Sequence, residues 1–525
     1  MTRTAAIAAC LLCWAPAVRA MPPGADGRAL HAAVAALGEA QVEVAAEGLA
    51  PVARRHPTDP DVLEAMSMVH FHRGDYVAAV DAMDEAIVQT PASPRVAERR
   101  ALRELMAATR QATEGFVTVA SADGRYVVRH APGRDAVLAP YALDAMAASD
   151  RALSEVLGYR HPGPVRLEIY PSPAALARVS SLTVEEIERT GTIALCKWDR
   201  LMVTSPWSLI RGYPWLDTIG HEYVHLLLSR ATRDRAPVWL QEGVAKFLER
   251  RWRGERGPPL AEPATHALLI RAAHDDALIP FDRLHPSIAM LPSQHDAALA
   301  FAQVATFVGE FVDRYGAEGL RDTVARVAAG ADARDALAAV AGEPFDRIEE
   351  RWQRGLRAQS WAQGIPPRLI ALQFRRAAQT EDESAELVVE AARAPLRLGD
   401  LLWDRGRPAA AAAEYGRAVE AAPDDPIVVS RFARASLTAN RGAEAVSALR
   451  RIRELYPTHA PAHALLGACL LAQGNRVDAR EPLREALRIN PFDPEPHCAL
   501  AVATDDDGER RREQRACRAL GGTLR

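Results

Sequence analysis

The sequence predicts a mainly α-helical chain with a mixed α+β segment in the middle and arrays of helical repeats at both ends. Three observations carry this. Hydrophobic residues make up 49% of the chain, charged residues 25% and aromatics only 6%. A chain crowded with Ala, Arg, Leu and Glu favours packed helices over strands, which draw on β-branched and aromatic side chains. Prolines recur every 34 residues, at Pro57 and Pro91 near the start and at Pro423, Pro457 and Pro491 near the end. Between about 115 and 356 that phase vanishes and short alternating segments replace it. At 525 residues the chain is too long for one core. Its 64 basic residues are outnumbered by 68 acidic ones, for a net charge of −4. That balance lacks the cationic excess of a nucleic-acid binder, so no nucleic-acid partner is expected.

The amino terminus reads as an export leader. Thr2 and Arg3 precede an apolar run from Ala5 to Trp14, and small Val18 and Ala20 place cleavage after Ala20. The run is shorter than the roughly 20 residues needed to cross a bilayer. Ile7-Ala8-Ala9-Cys10 resembles a lipoprotein box, but cleavage there would leave only nine residues of leader, so tethering is the less favoured alternative. The expectation is a signal peptide over 1–20 and a mature chain, periplasmic or secreted, without a transmembrane segment. Cys10 and Cys13 leave with the leader, and Cys196, Cys469, Cys498 and Cys517 remain. Four scattered cysteines are no disulfide framework. Cys498 and Cys517 flank the Asp505-Asp506-Asp507-Gly508 turn, so a helical hairpin could bridge them. The favoured expectation for both is a small buried apolar residue.

The repeats hold their phase beyond proline. Gly399, Ala433 and Gly467 are small where a first helix must pack closely on its partner. Ala411, Ala445 and Ala479 fill the matching small site, and Tyr415, Leu449 and Leu483 a large apolar one. Residues 395–491, and less faithfully 26–91, resemble tetratricopeptide repeats. Helical arrays are expected over 21–112 and 393–525, the second joined to the middle by a helical linker at 357–392. Each helical pair needs a neighbour to cover its apolar face. The resemblance implies a concave groove that holds a protein partner, and bracing of the middle domain stands beside it as the other reading. His463 and His497, also 34 apart, read as repeat positions rather than a metal pair.

In the middle segment, Phe116–Val119 and Tyr126–Arg129 flank Asp123-Gly124 as a hairpin. Val165–Tyr170 alternates like a strand, Leu201–Thr204 reads as another, and helices are expected over 138–157, 214–229, 238–250, 296–314 and 331–341. The informative stretch is His221-Glu222-Tyr223-Val224-His225. Histidines four apart share a helical face and reach one metal ion, while Glu222 addresses water instead of the metal. Fourteen residues past His225 begins Trp239-Leu240-Gln241-Glu242-Gly243, after the polar, proline-ended loop Arg230–Pro237. A second helix running back would carry Glu242 to the histidines. Two imidazoles and one carboxylate leave zinc a fourth position for water.

These linked motifs resemble the gluzincin metallopeptidases, most closely bacterial peptidases with HExxH followed by W-L-x-E-G, over about 115–356. The resemblance implies an α+β gluzincin-like core, Zn2+ as cofactor, His221, His225 and Glu242 as metal ligands, and Glu222 as catalytic base, acting on a peptide or protein. It further matches Thr190–Leu195 and Arg200–Thr204 to strands that edge the cleft, and Ala300–Gln303 with Tyr315-Gly316 to a helix behind the site. Gly191–Leu195 lacks the carboxylate with which related aminopeptidases grip a substrate amino terminus, which disfavours that activity. Phe301 stands where several relatives have Tyr, leaving the carbonyl-polarising donor open, with Tyr213 and Tyr223 as candidates and Tyr223 better read as a packing residue. Lys246 occupies the position where thermolysin-like enzymes carry an aspartate that steadies a histidine ligand, so orientation must come from elsewhere, Asp217 being one candidate. The function expected is an exported zinc peptidase. The alternative is a catalytically silent scaffold that binds proteins through its repeats.

Overall fold

The computed structural model describes residues 24–255, 262–360, 367–375, 387 and 389–524. The expected leader lies outside them. The chain forms two compact units, one drawn from 1–205, 218–259 and 277–358, the other from 206–217, 260–276 and 359–525.

The first unit opens with five helices, α1 (Ala25–Gly38), α2 (Val42–Arg55), α3 (Pro60–His72), α4 (Tyr76–Gln89) and α5 (Val96–Ala112). Asp59 and Asp75 cap α3 and α4 by accepting from backbone N–H groups of their first turns. Leu30, Leu49, Phe71 and Met83 are buried on the first four of them. A five-stranded sheet follows in the order β1-β2-β3-β5-β4. β1 (Val117–Ala120) and β2 (Tyr126–His130) are the expected antiparallel hairpin. β2 pairs in parallel with β3 (Val165–Tyr170), in register Val128 to Leu167. A parallel pair needs a crossover, supplied by α6 (Leu138–Leu157). α7 (Pro173–Arg178) and α8 (Val184–Thr190) lead to β4 (Ala194–Lys197), which pairs antiparallel with β5 (Arg200–Thr204). β5 lies parallel to β3 and every one of its residues is buried, whereas β4 is half-buried along its length.

α9 (Trp215–Ala231) carries the histidine motif, and its first three residues fall in the second unit. α10 (Val238–Leu248) carries the glutamate. α11 (Pro263–His274) belongs to the second unit. α12 (Gln294–Ala328) runs longer than expected, but Gly316, at φ 71 and ψ 179, breaks it close to the expected end. α13 (Ala333–Ala341) and α14 (Phe345–Arg357) complete the first unit, and α14 clusters Phe345 and Trp352 on Phe307 and Phe281.

The second unit is built on paired helices: α15 (Glu390–Asp404), α16 (Pro408–Ala421), α17 (Pro426–Thr438), α18 (Val446–Leu455), α19 (Ala460–Ala472), α20 (Arg476–Ile489), α21 (Pro494–Ala503) and α22 (Asp507–Ala519). The small repeat sites exist for close approach. A methyl group on Gly399 would stand 2.5 Å from the Tyr415 ring, and one on Gly467 2.5 Å from Leu483. His463 and His497 are buried and use Nε2 on the carbonyls of Pro457 and Pro491, residues of the same phase. They are repeat positions, as their spacing indicates.

Two expectations are corrected here. Cys498 and Cys517 form a disulfide that ties α21 to α22, because the tight Thr504–Asp506 connection lays the two helices side by side. Between α14 and α15, residues 367–375 are not helical. Pro366 and Pro367 offer no N–H to a helix, and Phe374 bridges Leu209 instead, with Ile210 donating to the Gln373 carbonyl at 2.9 Å. In the same unit Tyr213 donates its backbone N–H to Ile489 at 3.0 Å, and Trp215 its indole N–H to Leu487 at 3.3 Å.

Candidate metal centre

α9 is apolar on the side that faces the interior, with Val224, Leu227 and Leu228 fully buried. His221 and His225, one turn apart, share one face of the helix and remain 12% and 13% exposed. The chain reverses through Thr232–Pro237, with Arg233 and Asp234 in the left-handed conformation, and α10 starts behind Pro237. Gly243 allows α10 to lie hard on α12, since a methyl group there would meet Val308 at 2.7 Å and the Val304 carbonyl at 2.8 Å. That seating delivers Glu242.

His221 Nε2 and His225 Nε2 stand 3.1 Å apart, and Glu242 Oε2 is 3.3 Å from each. Zinc bonds of about 2.0–2.1 Å at tetrahedral angles require ligand atoms about 3.3 Å apart. The triangle meets that requirement on all three edges, and both histidines present the same ring nitrogen. This is the only group of three metal-capable side chains of this kind among the described residues. All four residues singled out by the sequence therefore share one place. Glu222, 4% exposed, sits beside the triangle with Oε2 buried and without a hydrogen-bond partner among the described residues. Burial raises its pKa. Burial also opposes ionisation of Glu242, but the two histidines hold it well below the ordinary carboxylate range. Neighbouring carboxylates pushed in opposite directions are suited to different tasks, one staying ionised as a ligand and one exchanging a proton.

Sequence reasoning missed Glu249. Its Oε2 lies 3.5 Å from His221 Nδ1, the ring atom left over once Nε2 faces the triangle. Lys246, the residue that replaces the expected aspartate, pairs with Glu249 at 2.8 Å instead. Burial opposes ionisation of Glu249, and Lys246 with His221 overcomes it, bringing its pKa to about 2. Gly220 makes this possible, because a methyl group there would strike the Glu249 carbonyl at 2.5 Å. The only advance signal was the seven-residue spacing from Glu242, two helical turns along one face.

The remaining candidates separate. Phe301 of α12 packs its ring edge-on against His221, 6.1 Å between centroids, and supplies no donor. Tyr223 points to the other side of α9, where its hydroxyl donates to Asp150 Oδ1 at 3.0 Å, as a packing residue would. Asp150 is fully buried on α6 and also receives Tyr126, Arg125 and Arg160, tying α9 to the sheet. Tyr213 and Asp217 belong to the second unit. Burial, with the Glu222 carboxylate adding to it, holds the Cys196 thiol of β4 well above its usual pKa.

Residues 145–358, which contain the whole triangle, match the Peptidase MA superfamily. Tetratricopeptide repeat families match 30–94, 371–426, 402–466 and 436–502. The chain thus carries a Peptidase MA superfamily domain together with tetratricopeptide repeats at both ends. No curated protein matches it in sequence. Among solved structures, a MamA crystal structure is 20% identical, with a TM-score of 0.22, over 25% of this chain and 75% of its own. A thermophilic tetratricopeptide protein of Thermus thermophilus is 24% identical, at 0.22, over 25% and 73%. The hetero-tetramer Cut9–Hcn1 is 12% identical, at 0.25, over 95% and 79%.

Proposed function

We propose that this protein is an exported zinc-dependent peptidase, with His221, His225 and Glu242 as metal ligands and Glu222 as general base. The observation that carries the reading is the triangle of ligand atoms, 3.1–3.3 Å on a side, beside a buried carboxylate with an unpartnered oxygen. Bound zinc would supply a Lewis acid that acidifies water and polarises a peptide carbonyl. Glu222 accepts the proton of the attacking water and delivers it to the departing amine. Its elevated pKa suits both transfers. Glu249 holds the His221 ring so that Nε2 faces the triangle. Aminopeptidase activity is not proposed, for lack of a carboxylate in Gly191–Leu195. The Cys498–Cys517 disulfide supports an oxidising compartment, as an export leader requires. The C-terminal repeats are proposed to bind a protein partner or the substrate.

Phe301 favours a second reading, a silent peptidase-like domain serving as scaffold, because its ring stands against His221 without a hydroxyl. One comparison separates the two. The mature chain is assayed for zinc content and for cleavage of a peptide library, beside Glu222→Gln. The enzyme reading expects one zinc per chain in both proteins and a loss of about 10²–10⁴-fold in cleavage by the variant. Zinc in the wild type without cleavage of any peptide establishes the scaffold instead.

A further inference from the structure

The N-terminal helices meet the middle of the first unit at two buried polar joints that hydrolysis at Glu222 does not use. The first centres on Arg230, in the last turn of α9 and 3% exposed. Its Nε donates to Asp199 Oδ1 at 2.7 Å, and its Nη1 to Glu43 of α2 at 3.0 Å. Gln41, just ahead of α2, donates to the Arg230 carbonyl at 3.2 Å, one of the last four that a helix cannot satisfy internally. His161 Nε2 meets the same Asp199 oxygen at 3.1 Å. Because His161 Nδ1 accepts from the Gly163 N–H at 2.8 Å, Nε2 is the nitrogen that carries the proton.

The second joint is aromatic. Tyr76 of α4 donates to Glu168 of β3 at 2.6 Å, and Arg129 of β2 reaches the same oxygen at 2.9 Å. Arg200 of β5 is fully buried among the rings of Phe71, Tyr76 and Trp198, at 4.9, 5.0 and 5.3 Å. Trp198 and Asp199 form the two-residue turn between β4 and β5, and both are left-handed, with φ of 53° and 59°. A two-residue hairpin turn calls for that conformation at both positions. Here Phe71 of α3 packs on Trp198 at 5.4 Å, while Arg230 and His161 hold Asp199.

We propose that the N-terminal repeats work in cis as a brace that locks the end of α9 to the β4–β5 turn, with Arg230 as the positioning residue. It rests on the metal-ligand reading only for its consequence at the site: α9 carries both histidines, so the brace sets where they stand relative to Glu242. Losing Arg230 leaves the Asp199 carboxylate buried beside Glu43 without its cation. Losing Gln41 and Glu43 frees α9 from the array while the Arg230–Asp199 pair remains.

The test uses the full mature chain in three variants: Gln41→Ala with Glu43→Ala, Arg230→Met, and Asp84→Asn as a control. Asp84 pairs with Arg103 at 2.8 Å, within the array itself. Hydrogen exchange of the α9 amides is measured without metal, and zinc affinity by competition with a chelator. In the first two variants the last turns of α9 should exchange about 10-fold faster and zinc should bind about 3–10-fold more weakly, with the control unchanged. Should Arg230→Met not fold, the double variant carries the test. Unchanged exchange in the double variant overturns the brace. Faster exchange with unaltered zinc affinity overturns the positioning role of Arg230. If the wild type binds no zinc yet exchange still accelerates, the brace stands and the metal-centre reading falls.

Discussion

At the scale of single residues, the site depends on a carboxylate outside the ligand set. Glu249 sits against His221 Nδ1 and is itself held by Lys246. Glu249→Ala should weaken zinc binding by about 10–100-fold, the usual effect of removing the partner that orients a metal-binding histidine. Glu249→Gln, which retains an acceptor oxygen, should recover part of the affinity. Chelator competition on the three proteins checks this, and equal affinities would show that the ring is oriented by packing alone. The ligands were legible in the sequence because the two motifs fix residue type and helical phase together. Glu249 was not. It lies one residue past the end of α10, and its approach to His221 depends on the bare backbone at Gly220, which no periodicity reveals. Cys498 and Cys517 were half legible, since the turn between them was visible but the pairing of helix faces was not.

At the scale of elements, the repeats were legible because each phased position does one packing task. Gly467 admits Leu483, and a methyl group there would approach its Cγ and Cδ2 to 2.5 and 2.6 Å. Gly467→Ala therefore sets two effects against each other. Alanine in a helix interior gains about 1 kcal/mol over glycine, whereas overpacking a filled core costs about 1–3 kcal/mol. Leu483 is 1% exposed and α20 is pinned by its neighbours, so the clash should win and urea unfolding should show a net loss of up to about 2 kcal/mol. A stabilised variant would mean that α19 and α20 can slide apart. The sheet was less legible. Its hairpin and β3 announce themselves by alternation, but the parallel pairing of β2 with β3, and of β3 with β5, joins residues separated by whole helices. Nothing local in sequence encodes those partners. The non-helical run at 367–375 escaped for the same reason, its bridge being to Leu209.

At the scale of the molecule, the contact pattern cuts across the order of the chain. Residues 206–217 belong with the C-terminal repeats, although they sit in sequence between β5 and the histidine motif. Their partners Leu487 and Ile489 are remote in sequence, which hid the grouping. Two reagents should therefore act on different parts of the protein. His221, His225 and Glu242 all lie in the first unit, so zinc at about 100 times its dissociation constant should stabilise that unit by about 2.7 kcal/mol through mass action. The disulfide lies in the second unit and closes a loop over a separation of 19 residues, so a reductant should remove about 3 kcal/mol there. Calorimetry of the mature chain should then resolve two transitions, one raised by zinc and lowered by a chelator, the other lowered by reductant alone. α9 contributes its first three residues to one unit and both histidines to the other. A single transition moved by both zinc and reductant would overturn this and make the two units one cooperative block.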